Sequence, residues 1–354
     1  MKIKILYVTT QNNGSKYHRL EIPLAYLNKE DFEVTQVGFI QLTEDMLKDI
    51  DILYYHFDLS IAIVNSKLAI LNNYAQIAIW QTKHKFKIIA DLDDTWKVAP
   101  NHKNGKLIQA ITPFIKDGLV LADLVTCTTE DLANDILPFN KNVKVIRNRI
   151  PYGELQFTVN NFTKSDKIRI GIIGSHSHYA DWISIKNDIN RLLNDGLVQK
   201  NCEFYVCGYD ESNKESKELW DTVAALFKGK ANILGTRTVQ HYMELYESLD
   251  VVLAPLCNNF QNIAKSELKV LEAACKNAIV IGSPFYKTKG NFENLMFFDD
   301  EMNYYNRIKE FAKMDRNEFY KMKLEMANKI RETTPFSEEI KKRELILKNL
   351  HNGL

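Results

Sequence analysis

Short apolar runs alternate with segments of helical period along most of this chain. The runs predict strands at 2–9, 32–38, 50–56, 77–81, 86–91, 123–127 and 143–146. Helical spacing predicts helices between them, including 16–29, 42–49, 65–73, 104–121 and 129–137. Such alternation builds a parallel sheet with helices on both faces. After Asn148 the pattern lapses, and Pro151-Tyr152-Gly153 with the polar stretch to Lys167 reads as a linker. A second series follows, with strands at 168–173, 202–207, 231–234, 250–255, 278–282 and 295–298. Its helices fall at 180–195, 214–228, 238–248 and 263–275, and helical segments run on from about 302 to 351. We expect an α/β protein of two doubly wound domains in tandem, 1–150 and 167–330, joined by a linker at 151–166. A helix at 331–354, with Phe336, Ile340 and Leu347 on one side, is expected to pack back across them. Ligands of such sheets bind beyond the carboxyl ends of the strands, so a cleft between two such domains is the expected site.

The densest chemistry lies at 262–274, between the strand-like runs 251–256 and 278–282. On one helix, Ala264, Leu268, Leu271 and Cys275 form an apolar stripe. Lys265, Lys269 and Glu272 form a second stripe beside it, with Ser266 adjoining. Cations near a helix N-terminus suit a diphosphate. A carboxylate deeper along the helix suits ribose hydroxyls, which donate hydrogen bonds. The competing reading is a solvated face with a Lys–Glu pair.

Three other stations sit at predicted strand ends. After the first strand, Gly14 and Ser15 form a loop in which backbone can approach a ligand, and Arg19 on the next helix can reach a phosphate. The dinucleotide pattern GxGxxG is absent there. After strand 168–173, Gly174 and Ser175 open a loop able to cradle phosphate oxygens, with His176 or His178 as a donor. The HxH spacing invites a metal, but no neighbouring Cys or His completes a set. Asp91-Leu92-Asp93-Asp94 closes strand 86–91, where carboxylates bind a metal, cap a helix or orient sugar hydroxyls. His56 ends strand 50–56 and sits where it would face an acceptor. His56, Asp93 and Asp94 are the catalytic candidates. Thr128-Thr129-Glu130 reads as a helix cap.

Bulk numbers narrow the class. At 354 residues the chain suits two domains. Lys+Arg is 46 against Asp+Glu 45, a net charge of +1, which gives no support to a strongly basic nucleic-acid binder. The 5 cysteines are odd in number and lack a CxxC pair, as expected of free thiols in a reducing compartment. No apolar run approaches the roughly 18 residues of a membrane span, and Met1–Val8 lacks the form of a signal peptide. A cytoplasmic protein without an integral membrane segment is expected.

Taken together, these residues resemble retaining, nucleotide-sugar-dependent glycosyltransferases with two Rossmann-like domains, the GT-B fold, in the group that includes sucrose synthases and bacterial mannosyltransferases. The resemblance runs from Val8 to about Gly282. It is carried by Gly14 with Arg19, by Ala122-Asp123-Leu124-Val125-Thr126 with Thr129-Glu130, and by Val145-Ile146-Arg147-Asn148 before the linker. Gly174-Ser175 adds to it. So does Leu253-Ala254-Pro255-Leu256 running into Lys265-Ser266 and Leu271-Glu272-Ala273. In that family a pair of glutamates with seven residues between them contacts sugar and ribose. Glu272 matches the second, but the first position is Ala264, so the sugar contact falls to Lys265, Ser266 or Glu267. The resemblance implies sugar transfer from a nucleotide diphosphate sugar such as a UDP-sugar to an acceptor hydroxyl. It further implies retention of configuration and no cofactor, with Mg2+ not required.

The expected donor-binding set is Gly14, Ser15, Arg19, Gly174, Ser175, His176, Lys265, Ser266, Lys269 and Glu272. The acceptor is a glycan, a small molecule or modified DNA. Three alternatives keep parts of this picture: a phage-type DNA glycosyltransferase acting on hydroxymethylated bases, a nucleotide-sugar epimerase, and a non-catalytic sugar-nucleotide-binding or scaffold relative, the last motivated by Ala264.

Overall fold

The structure, a computed structural model, describes residues 2–9, 14–38, 40–64, 67–98, 105–159, 165–289, 292 and 303–354. The chain divides into two compact units. Unit 1 comprises Met1–Asn148, Asn259–Ser266 and Phe336–Leu354, and unit 2 comprises Arg149–Asn258 and Glu267–Pro335.

Unit 1 contains β1 (Ile3–Thr9), β2 (Phe32–Gly38), β3 (Ile52–His56), β4 (Ile61–Val64), β5 (Lys67–Ile70), β6 (Lys87–Leu92), β7 (Leu124–Cys127) and β8 (Val143–Val145). Six of these strands form a sheet in the order β2-β1-β3-β6-β7-β8, every neighbouring pair parallel. Alternate residues feed opposite faces, and both faces are buried. Ile5, Tyr7, Ile52, Tyr54, Ile89 and Leu124 pack with Leu20 and Leu24 and with Ile340 and Leu347 of helix Phe336–His351. Leu6, Val8, Leu53, Tyr55, Ile88, Ala90 and Val125 pack with Ile77, Ile111 and Ile115 on the other side.

Unit 2 contains β9 (Ile168–Ile173), β10 (Cys202–Tyr209), β11 (Ala231–Gly235), β12 (Val251–Ala254) and β13 (Ile279–Gly282). They form a parallel sheet in the order β11-β10-β9-β12-β13. Ile170, Ile172, Phe204, Val206, Leu253 and Ile281 bury one face against Trp182, Trp220, Phe311 and Phe319. Below that sheet, buried Lys323 on helix Arg316–Thr333 pairs with buried Asp250 at 2.6 Å, which also binds Arg169. Two doubly wound α/β units are present, as the alternation predicts.

Several predicted elements differ, among them the helix expected at 180–195, which is two, Tyr179–Ser184 and Lys186–Asn194. The strand expected at 77–81 lies within helix Tyr74–His84. Asn73 caps its start by accepting from the Ala75 N–H, and Lys85 ends it at φ 65°. The helix expected at 65–73 is replaced by the antiparallel pair β4 and β5. The single helix expected at 263–275 is two, Phe260–Ala264 and Leu268–Cys275. Lys265 between them is extended (φ −64°, ψ 147°), and Glu267, fully buried and ion-paired with Arg149 at 2.7 Å, takes the position before the second helix. The strand expected at 295–298 lies outside the described residues. Among those, no helix is long and apolar enough to cross a membrane.

Candidate functional site

In each sheet the chain reverses its winding direction once, at β1/β3 in unit 1 and at β9/β12 in unit 2. Crevices beyond the carboxyl ends of such strands receive ligands. The candidate residues cluster at these two ends.

In unit 1, parallel register places Thr9, His56, Asp91 and Thr126 on one rung across β1, β3, β6 and β7. His56 Nε2 lies 3.0 Å from Asp93 Oδ1, and its Nδ1 is buried with no hydrogen-bond partner among the described residues. Burial works against the charged imidazole, but Asp93 and then Asp91 overcome it and raise the pKa of His56. Burial likewise opposes a charged Asp93, but His56 and a hydrogen bond from Ser15 hold that carboxyl well below its ordinary value. The next residue after His56, Phe57, is held at φ 64° while its N–H donates to Asp91 O at 2.8 Å. A bulky side chain in this region signals a loop fixed by its surroundings. His18 lies nearby, and burial pushes its pKa down to about 3.

Arg19, expected to reach a phosphate, is instead a buried structural cation, 1% exposed. Its Nε and NH2 donate to the two oxygens of Asp91 at 2.8 and 2.7 Å, and NH1 donates to Ile146 O and Asn148 Oδ1. Asp91 further accepts from Thr126, whose hydroxyl meets that of Tyr54, and Arg343 donates to Tyr54. Gly14 has open space about its Cα, so nothing described there requires a glycine. Segment Asn259–Ser266 also belongs to this unit. Lys265 Nζ lies 3.6 Å from Asp94, Ser266 accepts from Asn148 at 2.8 Å, and Ala264 O accepts from Thr129 at 3.0 Å. Lys265 and Ser266 thus gather with Asp94 and Asn148 within unit 1, whereas Lys269 and Glu272 belong to unit 2.

In unit 2, two glycines shape the loop after β9. A Cβ on Gly208 (φ 97°) would sit 2.3 Å from Gly174 O. Gly174 itself is at φ 150°, and a Cβ there would lie 3.3 Å from both Lys269 Nζ and His178 Cδ2. Only glycine keeps these two backbones in contact and leaves bare backbone beside the Lys269 ammonium. Lys269 Nζ donates to Ile173 O at 2.8 Å. One turn further along, Glu272 accepts from Tyr242 and Tyr246, each at 2.6 Å. Burial raises the pKa of Glu272 against those bonds and the charge of Lys269. Ser175 pairs with Ser177 at 2.6 Å. The two imidazoles of the HxH turn have separate partners, His176 with Ser216 at 3.2 Å and His178 with Asp181 at 3.0 Å. Among the described residues no group of three or more His, Cys, Asp or Glu is arranged to hold a metal. Tyr242 and Tyr246 went unread in the sequence; their four-residue spacing on the predicted helix 238–248 was the available signal.

No family model and no curated protein matches the sequence. Solved structures do match in shape. HepE from Anabaena, in complex with UDP and glucose, aligns with TM-score 0.64 at 12% identity, over 98% of this chain and 100% of that one. The fold of this chain is GT-B. A sucrose-phosphate synthase from Thermosynechococcus elongatus shares it with TM-score 0.64 at 9% identity over 100% of both chains. So does a UDP-forming α,α-trehalose-phosphate synthase from Burkholderia xenovorans, with TM-score 0.64 at 12% identity over 99% of each. The GT-B fold makes the carboxyl ends of both sheets the places to seek ligands, and there the polar clusters lie.

Proposed function

We propose that this chain is a glycosyltransferase that moves a sugar from a nucleoside diphosphate sugar to an acceptor hydroxyl. The carrying observation is the grouping at the carboxyl end of β9. Bare Gly174 backbone, the Lys269 ammonium and the Glu272 carboxylate follow one another there, a sequence that suits diphosphate and then ribose. HepE was solved with UDP and glucose and with UDP-glucose, and an E. coli structure of the same fold with UDP-2-fluoro glucose, so a UDP-sugar is the donor we favour.

In this reading Lys269 and the loop N–H groups stabilise charge developing on the departing diphosphate. The bond from the anomeric carbon to the phosphate oxygen breaks as the bond to the acceptor oxygen forms. The acceptor oxygen attacks from the face the phosphate leaves, which retains configuration, and the departing phosphate takes the acceptor proton, so no strong protein base is needed. No metal is assigned, since Lys269 supplies the positive charge. On unit 1, His56 with Asp93 is a hydrogen-bonding pair suited to a sugar hydroxyl.

A thermal-shift screen tests the reading: UDP, GDP, ADP, CDP and UDP-glucose, with Mg2+ or with chelator, on wild type, Lys269→Met and Glu272→Ala. A ligand at about 100 times its Kd stabilises by about 2.7 kcal/mol. We expect one nucleotide to raise Tm in wild type, with or without Mg2+, and to lose its effect in both variants. No response to any nucleotide sinks the donor site. Binding that needs Mg2+ sinks the metal-free mechanism.

A further inference from the structure

Glu272 is a buried carboxylate with a phenol on each oxygen. Tyr246 donates to Oε2 and Tyr242 to Oε1, both at 2.6 Å, the length of charge-assisted O–H···O bonds. The two phenols are not equivalent. Tyr246 is 2% exposed and sits within helix Met243–Glu247. Tyr242 is only part-buried, at the turn where that helix begins. Two hydroxyls on one carboxylate reproduce the pattern a vicinal diol would offer.

We propose that Tyr242 is an exchangeable stand-in, its hydroxyl holding the place on Glu272 that a ribose hydroxyl of a nucleoside diphosphate takes on binding, while Tyr246 stays. This deepens the donor site assigned above and rests on it. The consequence has an unusual sign. In wild type, ribose takes the position on Glu272 Oε1 that the Tyr242 hydroxyl holds, exchanging one bond for another, so the net gain is small. A deoxynucleotide leaves Tyr242 in place and loses little. Removing the Tyr242 hydroxyl removes the competitor, so the ribose hydroxyl then counts in full.

The test is isothermal titration of the full-length protein with UDP, GDP, ADP and CDP, and with the 2′-deoxy and 3′-deoxy forms of each. Wild type, Tyr242→Phe and Tyr246→Phe are compared. We expect Tyr242→Phe to bind the preferred ribonucleotide about tenfold more tightly than wild type does, the lower end for a hydrogen bond to a charged group. Its preference for that nucleotide over one of its deoxy forms should rise by a similar factor. Tyr246→Phe should weaken ribo- and deoxynucleotides alike, because it strips a permanent partner from Glu272. Weaker or unchanged binding by Tyr242→Phe, or an unchanged ribo-to-deoxy ratio, overturns the stand-in role and leaves the donor site standing. No binding by any nucleotide overturns both.

Discussion

The buried Arg19–Asp91 pair ties the carboxyl end of the unit 1 sheet together, and one substitution probes it. The guanidinium and carboxylate are 1% and 0% exposed and make two parallel bonds of 2.8 and 2.7 Å. Burial alone would neutralise Asp91, but Arg19 overcomes it and holds the carboxyl below its ordinary value. Asp91→Asn keeps the shape and one acceptor oxygen but leaves a buried cation without its counter-charge. Removing one partner of such a pair costs about 3–5 kcal/mol. Arg19 keeps Ile146 O and Asn148 Oδ1 as acceptors, so the lower figure applies. For a unit of 150–250 residues each kcal/mol shifts Tm by about 2–4 °C, which predicts a fall of roughly 6–12 °C. Urea denaturation of wild type, Asp91→Asn, Arg19→Met and the double variant Arg19→Met/Asp91→Asn gives the free energies. The double variant should be more stable than either single one, because it leaves no unpaired charge. A loss below about 1 kcal/mol for Asp91→Asn, or singles that simply add in the double variant, would refute the reasoning.

Three further predictions follow from the two strand ends. His18 has a folded pKa of about 3, far below the unfolded value of about 6.5. The unfolded chain therefore binds a proton the native state refuses, and stability falls by about 1.4 kcal/mol per unit as pH drops below 6.5. Between pH 7 and pH 5 that is about 2 kcal/mol, which His18→Gln should abolish in urea titrations; an equal slope in the variant removes this account. Gly208→Ala drives a Cβ to 2.3 Å from Gly174 O and should cost roughly 3 kcal/mol or more along with the nucleotide response, whereas Gly235→Ala, with nothing nearer than 3.8 Å, should unfold almost as wild type does. Asp93→Asn removes the main charge that raises the pKa of His56, so the His56 midpoint should fall in histidine NMR; an unmoved or rising midpoint contradicts the pairing.

How much of this could be read from the chain depends on the range of the interaction. Buried parallel strands announce themselves as apolar runs: β3, β6, β7, β9, β12 and β13 are buried at every β-branched or aromatic position, whereas the edge strands β2 and β11 leave Val34 and Val37 half-buried and Ile233 45% exposed. The error at 77–81 arose because Ile77-Ala78-Ile79-Trp80 is too short to separate a period of 2 from one of 3.6; Asn73 and Lys85 at the helix ends decided it. The segment 263–275 misled differently. Its apolar stripe continues in phase across Lys265 although the backbone does not. At the break Glu267 pairs with Arg149, 118 residues away in sequence, a contact that no local pattern reveals. Arg19 was misassigned for the same reason, since its partner Asp91 is 72 residues away.

Register explains why the polar residues stand where they do. In a parallel sheet a rung joins residues that are distant in sequence, so His56, Asp91 and Thr126 become neighbours as soon as β3, β6 and β7 pair. Two rungs back, Tyr54, Ile89 and Leu124 pack in the core, and Tyr54 alone of the three carries a hydroxyl, which meets Thr126 at 3.1 Å. The transition from apolar to polar thus occurs across the whole strand end at once. In unit 2 the same transition falls at Gly174, just beyond buried Ile172 and Ile173. Buried polar groups must be paired or they cost stability. In unit 1 Asp91 meets that demand permanently through Arg19. In unit 2 Glu272 meets it through one buried phenol and one part-buried phenol. A fixed partner makes structure, and a partner that a ligand hydroxyl can replace makes a site, which is the difference that the Tyr242→Phe titration measures.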